Sequence, residues 1–329
     1  MRRFFMLSAS LLFLQKSIPA QLYNRDHPLA HTYSIVARDP VTGEMGVAVQ
    51  SHWFSVGTLV SWAEAGVGAI ATQSFVNKSF GPLGLALLKS GLTAKEVADS
   101  LLKHDEGREV RQLAIVDAKG NVSVHTGKNC IQFAAHQQGD QYSVQSNMML
   151  GNTVPATMAA AYEKAVGKPL AERLLISLEA AQAAGGDIRG RQSAAILVVP
   201  AKALGKLWEE RTVDLRIDDH ANPLQELRRI YRVGVAYEHM NRGDLAVEKN
   251  DMNLAMDEYN AAMKMFPDNL EMQYWTAITL ANNKELKKAL PMLKKIFQKD
   301  PNWKELTRRL PAVNLLTVSA EDLKTILAL

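Results

Sequence analysis

A short polar segment, GDIRGRQS, joins a predicted helix to a predicted strand and carries side chains that could bind a substrate. Its polar members are Asp187, Arg189, Arg191, Gln192 and Ser193. Two guanidinium groups can grip a carboxylate through paired hydrogen bonds. We therefore predict that Arg189, Arg191 and Ser193 bind substrate and that Asp187 is a catalytic residue. A purely structural pairing of Asp187 with Arg191 is the alternative.

His52 lies just after a predicted strand, in QSHWFSVG, beside two aromatic residues. Its imidazole could accept a proton near neutral pH or could simply line a pocket. We predict a substrate-binding role for His52. Gln73, at the end of another predicted strand, and Asn77 are predicted to line the same cleft.

An acidic group follows, and at first sight it is typical of a metal site. Its members are Asp214, Asp218, Asp219 and His220. Asp219 is also placed to cap a helix that begins near Pro223, so capping and turn roles are favoured. Cys130 is the single cysteine, which excludes an intrachain disulfide and a cysteine-based metal cluster. We predict no metal and no cofactor.

Alternating polar and apolar residues, broken by turn sequences, predict the elements that position these side chains. Residues 32–50 form a hairpin around the turn Asp39–Gly43, and Thr93 with Glu96 forms a capping box. Further strands are predicted at 59–62, 66–73, 110–117, 121–126, 141–147, 193–199 and 213–217, and helices at 80–90, 93–104, 154–166 and 169–184. Hairpins mixed with paired helices predict an α+β fold of packed sheets covered by helices.

The first 20 residues have the features of a secretory signal peptide. Arg2 and Arg3 precede an apolar run from Phe4 to Leu14, and Ala20 is a suitable cleavage point. An uncleaved anchor or a buried first helix is the alternative. We predict an exported protein, periplasmic or extracellular, with no membrane span after cleavage and with a lead-in segment at residues 21–31.

The net charge gives no reason to expect nucleic acid or an anionic membrane as a partner. The formal charge of the chain is +4, and three of these positive charges lie within residues 1–20, at Arg2, Arg3 and Lys16. Removing three from four leaves +1 for the rest of the chain.

After Pro223 the sequence pattern is wholly helical and resembles tetratricopeptide repeats. Pro267 and Pro301 are 34 residues apart, which is the period of that repeat. The packing positions of the two repeats are Ala255, Tyr259 and Ala262, then Ala289, Leu293 and Ile296. A long turn is predicted at Gly243–Met252. A plain helical hairpin is the alternative; either would bury little surface, so we predict docking on a protein or cell-wall partner, and the apolar faces fit a homodimer.

Several motifs occur in a characteristic order: TYSIVARD (32–39), GEMGVAV (43–49), WAEAGVGAIATQ (62–73), GREVRQLAIVDAKG (107–120), GGDIRGRQSAAILVV (185–199) and VDLRIDDH (213–220). Together they resemble the bacterial family called domain of unknown function 1028, from about Thr32 to Arg232. The resemblance implies a four-layer αββα sandwich of the N-terminal-nucleophile (Ntn) hydrolase type over residues 32–222. Members often carry a peptidoglycan-binding module where this chain has its helical tail, residues 223–329.

The Ntn resemblance also implies a mechanism. Thr32 would be the nucleophile, and its own α-amine, with an ordinary pKa of about 7.7–8.0, would be the base. Asn147 would donate to the oxyanion, and Ser34 is a weaker alternative nucleophile. The free amine requires a cut between His31 and Thr32.

We therefore predict a hydrolase acting on an amide bond in a small or peptide-like substrate. The alternative is a non-catalytic binding or scaffold protein, in which Thr32 is only a strand residue. The hydrolase requires Thr32 to face a cleft on which Asn147 and residues 187–193 converge.

Overall fold

The computed structural model describes residues 29–329, which divide into two compact units, one ending at Asp214 and one from Leu215 to Leu329. The predicted signal peptide and most of the lead-in segment lie outside the described residues. Among those described, no helix combines the length and apolar character that crossing a bilayer requires.

The first unit is built around two antiparallel sheets, and their last strand runs past its boundary at Asp214. The strands are β1 Leu29–Ala30, β2 Thr32–Arg38, β3 Met45–Ser51, β4 Ser61–Glu64, β5 Gly68–Phe75, β6 Arg111–Asp117, β7 Val122–Thr126, β8 Ala135–Gly139, β9 Tyr142–Ser146, β10 Ser193–Val199 and β11 Val213–Ile217. One sheet has the strand order β11-β10-β3-β2-β9-β8, and the other has the order β1-β5-β6-β7 with β4 also paired to β5.

Four helices cover the outer faces of the two sheets. Helices α2 (Phe80–Lys89) and α3 (Ala94–Lys103) pack on the five-stranded sheet, and α4 (Val154–Lys164) and α5 (Leu170–Ala183) pack on the six-stranded sheet. The inner faces meet through apolar residues of β2, β3, β5, β6 and β10. The predicted α+β class and αββα layer order are therefore confirmed.

The hairpin turn fixes which face each residue of β2 and β3 occupies. Asp39 accepts hydrogen bonds from the backbone N–H groups of Val41 and Thr42 (2.8 and 2.9 Å), which confirms its predicted turn role. Arg38 is paired with Met45, and the register continues to Thr32 opposite Ser51. Successive strand residues point to opposite faces of a sheet. Thr32, Ser34 and the alternate residues that follow them in β2 therefore face the five-stranded sheet.

Two elements differ from the sequence prediction. Residues predicted as a strand at 59–62 begin instead with helix α1 (Gly57–Val60), which follows a positive φ of 51° at Ser55 and is succeeded by β4. Strand β8, with the sequence AHQQG, was not predicted. It lies at a sheet edge with mostly exposed side chains, so no alternation of polar and apolar residues marks it.

The second unit contains helices α6 Pro223–Glu248, α7 Met252–Met265, α8 Leu270–Asn282, α9 Leu286–Lys299, α10 Asn302–Arg309 and α11 Ala320–Leu327. All six packing positions predicted for the repeats are fully buried. The N-cap of α6 is Asn222 rather than Asp219.

The long turn predicted at Gly243–Met252 is wrong, because α6 continues to Glu248. Gly243 is buried against α7, and a Cβ atom there would lie 2.4 Å from the Tyr259 ring. The glycine therefore permits close helix packing instead of ending the helix. The turn itself is short and includes Asn250, with a φ of 58°.

Candidate functional site

At the start of β2 the chain passes directly from the five-stranded sheet to the six-stranded sheet. Thr32 pairs with Ser51 of β3, and its carbonyl accepts the backbone N–H of Asn147 at 3.0 Å, within the six-stranded sheet. Two residues earlier, Ala30 pairs with Ser74 of β5 in the five-stranded sheet. The His31–Thr32 peptide therefore lies at the seam between the two sheets.

The carbonyl oxygen of His31 is held by two side-chain donors. Ser51 Oγ donates to it at 2.6 Å, and Arg189 Nη2 donates to it at 2.8 Å. One donor is neutral and the other is a cation, so together they would stabilise negative charge developing on this oxygen. Two donors on one carbonyl oxygen are the arrangement that stabilises an oxyanion.

Asp187 fixes the orientation of the Arg189 guanidinium. Its carboxylate accepts from Arg189 Nε at 3.0 Å and from Nη2 at 2.7 Å, and its side chain is fully buried. It also accepts the backbone N–H of His52 at 3.2 Å. Asp187 thus acts on the His31 carbonyl through Arg189.

The His31 ring is enclosed and neutral. Its Nδ1 lies 2.7 Å from Asn147 Oδ1, and its edge meets the Phe75 ring at 87° with centroids 5.4 Å apart. Burial lowers the pKa of His31, and the hydrogen bond to Asn147 only partly opposes this. Because an amide oxygen can only accept, Nδ1 carries the proton. The buried Nε2 has no partner among the described residues.

A fully buried network of amide side chains supports this arrangement. Gln112 Oε1 accepts from Asn147 Nδ2 at 2.9 Å and from Gln73 Nε2 at 2.6 Å. Gln73 Oε1 accepts from the hydroxyl of Ser34 at 2.6 Å, which in turn accepts from Gln145 Nε2 at 2.6 Å. The network commits the Asn147 amide nitrogen to Gln112, so its oxygen faces His31.

Thr32 is fully buried, with its hydroxyl 3.4 Å from the carbonyl oxygen of Ala30. The open cleft expected at Thr32 is therefore wrong for the uncut chain, in which the preceding residues Leu29 and Ala30 are paired with β5. Of the residues predicted to converge on this position, Arg189 contacts the His31 carbonyl and Asn147 contacts the His31 ring. The predicted donation from the Asn147 side chain to the oxyanion is wrong for the uncut chain, because its amide nitrogen donates to Gln112.

The two predicted arginines have different environments. Asp187 pairs with Arg189 and not with Arg191, so the suggested Asp187–Arg191 pairing is wrong. Arg191 is exposed. Of the two, only Arg189 has a hydrogen bond to the His31 carbonyl.

The other predicted site residues do not form one cleft. Gln73 is buried between the sheets, whereas Asn77 lines a surface cavity between α2 and α3, so their predicted common cleft is wrong. His52 is an exposed residue. Ser193 donates to the carbonyl of Trp53 at 2.5 Å and accepts from a backbone N–H of the same loop, so it holds the loop after β3.

Sequence reasoning missed Ser51, Gln112 and the His31 ring. A signal for Ser51 was present, since counting outward from the Asp39 turn places it opposite Thr32. Gln112 gave no such signal, because its partners come from β5 and from the residue after β9.

Comparison with known proteins gives a family match that begins at the first residue of β2. Residues 32–227 match the family of unknown function DUF1028, and the match starts at Thr32. Protein SPO2555 from Silicibacter pomeroyi, a DUF1028 protein whose crystal structure is known, is 31% identical over 62% of this chain and 85% of its own, with a TM-score of 0.56.

Anbu, the ancestral beta-subunit from Yersinia bercovieri, is 12% identical over 63% of this chain and 96% of its own, with a TM-score of 0.31. That similarity is too slight to carry an argument. No curated protein matches the chain. Because the family match spans more than half of the sequence, the chain belongs to the family of unknown function DUF1028.

Proposed function

We propose that this protein is an exported Ntn-type hydrolase that cleaves an amide bond in a small or peptide-like substrate. Thr32 becomes its N-terminal nucleophile once the His31–Thr32 bond has been cut. The observation that carries this proposal is the pair of donors, Ser51 and Arg189, on the His31 carbonyl oxygen. The αββα layers and the resemblance to Ntn hydrolases support it.

The cut can be written as an acyl shift followed by hydrolysis. The Thr32 hydroxyl adds to the His31 carbonyl carbon, and the negative charge on the oxygen is held by Ser51 and Arg189. The hydroxyl proton moves to the amide nitrogen, the C–N bond breaks, and an ester remains. Water then hydrolyses the ester, leaving a carboxylate on His31 and a free amine on Thr32.

The free amine supplies the base for later turnovers. Its ordinary pKa is about 7.7–8.0, and a neighbouring guanidinium favours the neutral form, which accepts the hydroxyl proton. A substrate carbonyl then takes the place of the His31 carbonyl between Ser51 and Arg189. The amine product leaves, and water hydrolyses the Thr32 ester to release the acid.

The uncut chain is an inactive precursor in this scheme, because Thr32 is buried and its nitrogen is part of a peptide. The same burial favours a second candidate. A non-catalytic member would keep Thr32 as a strand residue and use its helical unit to dock a protein or cell-wall component.

The mass of the mature protein from its host separates the two candidates. A chain beginning at Thr32 is expected for the hydrolase, and a chain beginning at Gln21 would support the non-catalytic protein. Thr32→Ala should retain the lead-in segment and abolish amidase activity, whereas Thr32→Ser should still be cut.

The Thr32→Ala change should cost only about 1 kcal/mol of stability, since it removes one methyl group and a weak hydrogen bond. A normal melting temperature therefore shows that lost activity is chemical. If Thr32→Ala is cut and active like the unchanged protein, Thr32 is not the nucleophile.

A further inference from the structure

The lead-in segment is bound as an added strand. Ala30 and Leu29 pair antiparallel with Ser74 and Phe75, the last two residues of β5. Strand β4 pairs only with the earlier part of β5, from Gly68 to Ala71. Departure of the segment after a cut would therefore leave a short free strand edge, which can pair with another extended peptide.

The side chain of His31, the residue before the His31–Thr32 bond, occupies an enclosed pocket, which we call the seat. The His31 ring is 1% exposed and is bounded by the edge contact with Phe75 and the hydrogen bond to Asn147 Oδ1. Burial keeps the pKa of the ring low. The seat therefore fits an uncharged ring that donates one hydrogen bond, and a carboxylate there would face the Asn147 oxygen.

The side chain at position 30, one residue before His31, must be small. Ala30 is 0% exposed and belongs to the apolar cluster between the sheets. A larger side chain at this position would overlap residues that are already packed. Ser51 and Arg189 bind the carbonyl oxygen of His31, the residue whose side chain fills the seat.

From these contacts we propose that the substrate is an extended peptide that takes the place of the lead-in segment, with a small residue followed by histidine on the acyl side of the cleaved bond. This inference rests on the proposed function. Thr32 Oγ adds to the carbonyl carbon of the substrate histidine, and the amine leaves with the hydroxyl proton. Water then hydrolyses the ester to the peptide acid. The lead-in segment is then both the first substrate and a copy of the later ones.

The test uses the full chain after its own cut and peptides carrying a fluorogenic aminomethylcoumarin amide. The acetyl-Leu-Ala-His amide should be cleaved best. Replacing Ala by Leu should lower kcat/KM at least 10-fold, and replacing His by Asp should lower it about 100-fold, because the enclosed seat leaves a carboxylate unpaired.

A variant of the seat supplies the matched control. Phe75→Leu should reduce kcat/KM for the Ala-His peptide more than for an Ala-Ala peptide, while Phe266→Leu in the helical unit should change neither. The free acid acetyl-Leu-Ala-His should inhibit competitively.

The outcomes separate the two proposals. Equal rates for all the peptides, or cleavage of small non-peptide amides alone, would overturn the inference and leave the hydrolase intact. A chain that neither cuts itself nor cleaves any amide overturns the proposed function and this inference with it.

Discussion

The space between the two sheets has two ends of opposite chemistry. At one end lie apolar side chains, among them Val36, Val47, Ala71, Val116 and Leu197. At the other lie fully buried polar ones, among them Thr32, Ser34, Gln73, Gln112 and Asn147. The same strands supply both ends, so the backbone does not explain the difference.

Their energetics differ accordingly. Each apolar group contributes about 0.8 kcal/mol per buried methylene. A buried amide contributes little net stability even when it is paired, and it costs about 1–3 kcal/mol when it is not. The apolar end therefore holds the sheets together, while the polar end is organised to orient the groups around His31 and Thr32.

The largest expected effect comes from two substitutions on the same strand, β6. Gln112→Leu removes the shared acceptor of Gln73 and Asn147, leaving two buried N–H groups unsatisfied, and should cost about 4 kcal/mol. Val116→Ala, at the apolar end, removes two methyl groups and should cost about 2 kcal/mol. Urea unfolding measures both. A cost below about 1 kcal/mol for Gln112→Leu would show that the amide network is not what organises this end.

Arg189→Lys tests whether the polar end promotes cleavage of the His31–Thr32 bond. Arg189→Lys keeps a cation beside Asp187, but one ammonium group cannot match both hydrogen bonds to Asp187 and the one to the His31 carbonyl. Loss of the His31 carbonyl contact should slow cleavage of the His31–Thr32 bond on the order of 100-fold. A time course of intact mass measures this rate. Arg191→Lys is the matched control, and equal rates for the two variants would contradict the role given to Arg189.

The smallest expected effect is a pH dependence of lead-in docking. The ordinary pKa of histidine is 6.5, and burial lowers it for docked His31, so the undocked segment binds the proton more readily. Docking is therefore complete above pH 6.5 and weakens as the pH falls below it, by at most about 1.4 kcal/mol per pH unit.

Hydrogen exchange of Leu29 and Ala30 in the uncut Thr32→Ala protein, compared at pH 7.5 and 5.5 after correction for intrinsic rates, measures this effect. His31→Gln should abolish the dependence. The same dependence in both proteins would mean that another group is responsible.

Much of the fold followed from local patterns. Strands β2, β10 and β11 were predicted with the bounds that are observed, and β3 ends at Ser51, one residue beyond the predicted end of the hairpin. The capping box at Thr93 and Glu96 is also present. Alternation, helical periodicity and cap chemistry depend on neighbours in sequence, so a sequence reveals them. The helical course of α6 through Gly243 was missed because it depends on the Tyr259 ring of another helix.

The sequence alone determined the family resemblance, the α+β class and the strand that begins at Thr32, and it predicted a site contribution from the segment around Asp187. Only the tertiary structure decided that Asp187 holds Arg189, that Arg189 and Ser51 share the His31 carbonyl, and that Thr32 is buried. The bonds from His31 to Asn147 and from Arg189 to His31 join residues 116 and 158 positions apart. Such contacts are set by how two sheets and their loops pack, which no local pattern encodes.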